Sequence, residues 1–161
     1  MTALADNQFP FDSETQDPAY APWHAMTRPN GQSPEDARKE ANIFVKSRIC
    51  LARRLAAQGY EADAMAYLAQ AIHTMQDAAS PAHHSFQYAW PNTFLSNQWQ
   101  WLNPFGHYAQ ENFDPGPGSA ADNNTKRTYD YFTGDLPIPE DVFDNAYDTH
   151  SGIGYTPLRP Q

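Results

Sequence analysis

An all-α fold is predicted by three features of this 161-residue chain. Apolar residues recur at three- and four-residue spacing over long stretches. Capping residues stand where those stretches begin and end. No segment shows the apolar–polar alternation of a half-buried strand. About five helices are expected, packed into a single domain over residues 1–161. Residues 1–22 read as an extended lead-in, and 151–161 as an irregular tail. At this size a core can form without staples. Cys50 is the single cysteine, which leaves no internal disulfide framework and no cysteine-rich zinc site. It lies in an apolar run and is expected in the core.

The lead-in carries Pro10, Pro18, Pro22 and Pro29 without sustained periodicity, interrupted by the apolar island Trp23-His24-Ala25-Met26. A helix start follows at Ser33-Pro34-Glu35-Asp36: serine as N-cap, proline at the first helical position, acids at the positive helix end. This helix is expected to run to Gln58, with Ala41, Phe44, Val45, Leu51, Ala52 and Leu55 on its apolar face and Gly59 as its stop. A second helix is predicted from about Ala62 to Ala78, with Met65, Leu68, Ala69 and Ile72 facing inward. The short turn between them implies an antiparallel pair.

Residues 84–104 form a long connection holding Phe86, Tyr88, Trp90, Phe94, Trp99 and Trp101. A short helix is expected over His107–Glu111, broken by Asp114-Pro115-Gly116-Pro117-Gly118. Ser119 restarts a helix to about Phe132, closed by Gly134. Pro139-Glu140-Asp141 opens a last one, ending near His150.

The net charge of −9 disfavours nucleic acid as a partner, since phosphate binding needs Lys and Arg. The start of the chain has no basic segment followed by an apolar run, so no signal peptide is expected. No apolar stretch is long enough for a membrane span.

The chemistry-bearing residues are six histidines: His24, His73, His83, His84, His107 and His150. His73 and Asp77 lie four apart and share a helical face. Pro81 should end or bend that helix, letting His83 return toward the same point. His107 and Glu111 repeat the four-residue spacing. Imidazole and carboxylate are zinc's ligand set outside thiolate sites. Each pair alone is also what an ordinary surface or capping pair looks like. The co-occurrence of spaced His/Asp/His and His/Glu in one small domain is what points to metal.

His73-x-x-x-Asp77-x-x-x-x-x-His83, with Pro81 two residues before the last histidine and His107-x-x-x-Glu111 following, resembles the signature of the zinc-dependent phospholipase C and P1 nuclease superfamily, which is all-helical. The surrounding stretches Trp23-His24-Ala25-Met26, Ser33-Pro34-Glu35, Ser80-Pro81-Ala82-His83, Phe86-Gln87 and Asp114 to Ser119 are similar to C-terminal toxin domains of bacterial Rhs-type polymorphic proteins. That likeness spans roughly residues 20–135.

The resemblance implies that His73 and Asp77 bind one zinc, with Asp77 bridging to another, and that His83, His107 and Glu111 bind its neighbour. His24 would complete the cluster. Two zinc ions are expected, three being the superfamily's full complement. The upstream Asp and His ligands of that family have no counterpart; only acids such as Asp36 or Asp63 stand in that region. The implied activity is a phospholipase C-type phosphodiesterase, with Asp77 or Asp63 orienting the attacking water and Phe86, Trp90, Trp99 and Trp101 contacting the lipid. The implied setting is an antibacterial effector of Rhs or type VI-like secretion, delivered into a target cell by its parent polypeptide and neutralised by a cognate immunity protein. Two other readings stand beside it: a metal-dependent nuclease toxin on the same core, its aromatics stacking bases, and a non-enzymatic, zinc-stabilised helical module.

Overall fold

The computed structural model describes residues 17–28, 31–80, 83, 86, 116–148 and 156–157. These residues make an all-α architecture. Three α-helices form it: α1 (Pro34–Ala57), α2 (Glu61–Asp77) and α3 (Ala120–Thr133). Two 3-10 helices accompany them, η1 (Pro18–His24) and η2 (Val142–Asn145). A two-residue antiparallel pairing of Tyr147–Asp148 with Thr156–Pro157 is the departure from pure helix. No helix among the described residues is long and apolar enough to cross a membrane.

The helix ends follow from local chemistry. Ser33 Oγ accepts the Asp36 backbone N–H at 3.1 Å, and Pro34 occupies the first turn, where its missing N–H costs nothing. Gln58 caps the far end, and Gly59 turns the chain at φ +83°, a conformation that disfavours a side chain. At α3, Ser119 accepts from the Asp122 N–H and Gly134, at φ +92°, closes the helix. Both of these helices therefore start and stop where their capping residues predict. The second helix runs from Glu61 to Asp77, within a residue of its expected bounds.

The tight turn at 58–60 folds α1 and α2 into a hairpin. One core cluster joins Ala52 of α1 to Leu68 and Ile72 of α2. A larger one joins Ala41, Phe44, Val45 and Ile49 to Ala71 and Met75, and extends to Tyr131, Val142 and Phe143. Burying each of the larger side chains contributes roughly 1.5–3 kcal/mol. Leu51 and Leu55 are half-buried rather than core, and Cys50 is exposed. Its expected place in the core is overturned by helical geometry: two residues before Ala52, it is carried about 200° around α1 from the buried stripe.

α3 docks on this hairpin through polar contacts as well as apolar ones. Asn124, fully buried, donates from Nδ2 to the Met75 carbonyl at 2.9 Å, and Gln76 Nε2 donates to Thr125 Oγ1 at 2.8 Å. Arg53 of α1 donates to the carbonyls of Tyr131 and Phe132, placing a cation at the negative end of α3.

Two expectations fail here. The last helix, expected from Pro139 to near His150, is only the short η2. Asn42 intercepts it, its Oδ1 accepting the Val142 N–H and its Nδ2 donating to the Glu140 carbonyl. Arg38 adds ion pairs to Asp141 and Asp144 at 2.9 and 2.7 Å. The segment is pinned flat on α1, with Phe143 buried beneath. The lead-in also gains structure before residue 22: from Asp17 onward it forms η1, capped by the Asp17 carboxylate and burying Ala21, Pro22 and His24.

Candidate metal centre

The site forms where η1 meets the last turn of α2. η1 ends at His24, and Ala25 follows in the left-handed region at φ 52°. A left-handed alanine costs about 1–2 kcal/mol, which the surrounding contacts must offset. Ala25 is fully buried, its N–H bonded to the Pro22 carbonyl, and the Met26 N–H reaches the Ala21 carbonyl. The turn is clasped to α2 by Thr74, whose hydroxyl donates to the Trp23 carbonyl at 2.5 Å. Thr74 directly follows His73, so this bond sets the imidazole of His24 against the face that carries His73 and Asp77.

His24 Nδ1 lies 3.0 Å from Asp77 Oδ2 and 3.2 Å from His73 Nε2, and His73 Nε2 lies 3.2 Å from the same Asp77 oxygen. The two imidazoles meet edge-on, their planes 89° apart. Three ligand-capable atoms thus occupy the corners of a nearly equilateral triangle. Tetrahedral zinc with bonds of 2.0–2.1 Å needs neighbouring ligand atoms about 3.3 Å apart.

Proton arithmetic favours a cation at this triangle. Each ring nitrogen holds either one in-plane hydrogen or one lone pair. If both histidines donate to Asp77, two N–H groups oppose each other across 3.2 Å. If one donates and the other does not, a lone pair faces the carboxylate. No assignment of neutral tautomers satisfies all three edges. A metal ion accepts all three lone pairs.

The surroundings suit that role. His24 is buried, and the side chains of His73 and Asp77 are 16% and 12% exposed. Burial alone would raise the Asp77 carboxyl. The charges of His73 and His83, with hydrogen bonds from His24 and His73, outweigh it and hold the group well below the usual carboxylate range. Asp77 therefore stays an anion, as a ligand must.

His83 arrives by successive turns after α2: the Ser80 N–H bonds to the Asp77 carbonyl, and the His83 N–H to the Ser80 carbonyl. The helix ends at Asp77, four residues ahead of Pro81, so the return toward His24 begins earlier than the proline alone would dictate. His83 is buried and its Nδ1 bonds the His24 carbonyl. Since a carbonyl only accepts, Nδ1 carries a proton, as the non-ligating nitrogen of a metal-site histidine does.

No protein-family model matches the chain, and neither curated proteins nor solved structures give a match. The chemistry of the site rests on its own geometry.

His24, His73 and Asp77 are brought together, a group able to hold a metal ion. His83 stands beside them. His107, Glu111, Trp90, Trp99 and Trp101 lie outside the described residues. Asp63 does not join the site: it is exposed in the first turn of α2, fourteen residues and about 21 Å of helix rise from Asp77. Asp36 is likewise committed elsewhere, within the Ser33 cap. Phe86 is core rather than substrate-facing, 5% exposed and edge-on to Phe143 at 5.2 Å. Sequence reasoning missed Thr74, the anchor of the His24 turn. Its signal was a hydroxyl residue inside an apolar helix face.

Proposed function

We propose that this chain is a metal-dependent hydrolase of phosphoric esters, of phospholipase C type, with zinc as its ion. The observation that carries the proposal is the His24–His73–Asp77 triangle, whose polar atoms match zinc's ligand spacing and whose three edges no pair of neutral tautomers satisfies. Three protein ligands with a fourth position left open is the pattern of catalytic rather than structural zinc sites. A bound zinc supplies Lewis acidity to a phosphoryl oxygen and lowers the pKa of water. His24 and His73 donate neutral imidazole nitrogens, and Asp77 supplies the compensating negative charge. Thr74 and the Ala25 turn hold His24 in place. His83 orients His24 through its carbonyl and stands ready as a ligand to a second ion. With Asp63 remote, Asp77 is the acid within reach of an attacking water.

The resemblance to Rhs-type toxin domains supports a wider setting: a delivered antibacterial effector acting on phospholipid headgroups, silenced in the producing cell by an immunity protein. One observation favours a second reading, a closed stabilising zinc site. His83 is buried beside the triangle and bonded to the His24 carbonyl; it stands outside the three-atom group, and moved in as a fourth ligand it would leave no position for substrate.

Headgroup release from phosphatidylcholine and phosphatidylethanolamine vesicles separates the two. The hydrolase reading expects zinc-dependent release that falls by about 10³ or more in His73→Ala, with helicity retained. A protein that binds zinc stoichiometrically yet releases no headgroup, and cleaves no other phosphodiester, is the stabilising module instead.

A further inference from the structure

Arg48 of α1 is a half-buried cation among aromatic rings. Arg28, Arg38, Lys39 and Lys126 each have a carboxylate partner. Arg48 has no hydrogen bond or ion pair among the described residues, although its Nε is buried. Aromatic rings surround its guanidinium: Phe44 at 4.6 Å, Tyr67 at 5.3 Å and Trp23 at 5.9 Å from its centre. Trp23 is itself fixed, stacked on Phe44 at 4.7 Å.

Rings satisfy the faces of a guanidinium but not its edge, where the N–H donors lie in the plane. A buried guanidinium N–H without an acceptor, as at Arg48 Nε, is costly unless something completes it. Burial lowers the Arg48 pKa, only partly opposed by Tyr67. Oxyanions fit the edge of a guanidinium in paired, parallel hydrogen bonds.

A second orphan lies on the helix that carries Tyr67. Gln70 Oε1 is buried and has no partner among the described residues. Gln70 is one helical step past Tyr67, and its backbone carbonyl shares the Thr74 hydroxyl with that of Trp23. An unpaired donor over the Tyr67 ring and an unpaired acceptor on the next turn of α2 are therefore both buried. A phosphate group that still carries one proton offers the reverse set: acceptor oxygens and a donor hydroxyl.

The position links this pair to the metal centre. Trp23 is the residue before His24. Tyr67 and Gln70 precede His73 by six and three residues, about 9 and 4.5 Å of rise along α2. We infer that Arg48, walled by Trp23, Phe44 and Tyr67 and accompanied by Gln70, is an anion subsite that receives a phosphate group beside the His24–His73–Asp77 centre. Its place in catalysis rests on the hydrolase reading; its affinity for phosphate does not.

The test is calorimetric titration of inorganic phosphate into chelator-treated full-length protein, so that no metal contributes. Wild type should bind at millimolar phosphate. Arg48→Met, which keeps the apolar stem among the rings, should bind at least about tenfold more weakly at an unchanged thermal midpoint. Arg48→Lys keeps the charge but loses the paired donors, so it should also weaken binding; it stands in if the methionine variant fails to fold. Absence of phosphate binding by the wild type, or equal binding by the variants, overturns the inference. Phosphate binding lost with Arg48 in a chain that proves to hold no metal would leave the subsite standing and the hydrolase reading refuted.

Discussion

At the scale of single residues, the account turns on which side chains hold His24. Thr74→Val keeps the shape of the side chain and removes the hydroxyl that donates to the Trp23 carbonyl. It should cost about 1 kcal/mol of stability, measured by urea denaturation. Zinc affinity should fall by roughly 10–100-fold, the usual effect of losing a group that orients a ligand. Acid should release the metal through the histidines and not through Asp77. The depressed Asp77 pKa keeps that carboxylate ionised below the usual carboxylate range, so protons compete with the metal at the imidazoles first. Zinc followed against pH should therefore dissociate while Asp77 is still ionised; a site that kept its zinc until Asp77 took up a proton would contradict the ligand set. Of these residues, His73 and Asp77 were legible in the sequence from their four-residue spacing, whereas His24 entered only through the resemblance, because nothing local ties it to a helix 49 residues on. The role of Thr74 was not legible, because its partner lies 51 positions away in the chain.

At the scale of elements, sequence reading succeeded where local chemistry decides the outcome. Ser33, Pro34, Ser119 and Gly134 each satisfy or release backbone groups within their own turn, so the ends of α1 and α3 could be read directly. It failed where a distant side chain overrides local preference. Asn42 captures the backbone of Glu140 and Val142 across about a hundred residues and leaves only η2 where a longer helix was expected. Cys50 was misplaced for a different reason: a run of apolar residues gives no phase, and only its angle around α1 shows it exposed. The polar seam between α2 and α3 gives a direct prediction. Asn124→Ala should cost about 1–3 kcal/mol in denaturant unfolding, since it strands the Met75 carbonyl near the end of α2. Because Met75 lies two residues from both His73 and Asp77, the same variant should also weaken zinc binding. Ser33→Ala, which removes the α1 cap and no contact of the triangle, should cost about 1 kcal/mol with zinc binding unchanged.

At the scale of the whole molecule, the described helices form a scaffold that brings its buried histidines to one place. η1, the end of α2 and the turn to His83 converge on a site that opposes two imidazole nitrogens to each other and to a carboxylate. An ion that binds only the folded chain stabilises it by mass action, about 4 kcal/mol at a thousand times its dissociation constant. Chelation should accordingly lower the thermal midpoint, and added zinc should restore it. The most direct test of the central claim is the zinc content of the purified chain by elemental analysis, set beside His24→Ala, His73→Ala and Asp77→Asn. At least one zinc per wild-type chain, lost in all three variants while helical circular dichroism persists, is the predicted result. A metal-free wild type that takes up no zinc and melts identically with and without chelator would contradict it.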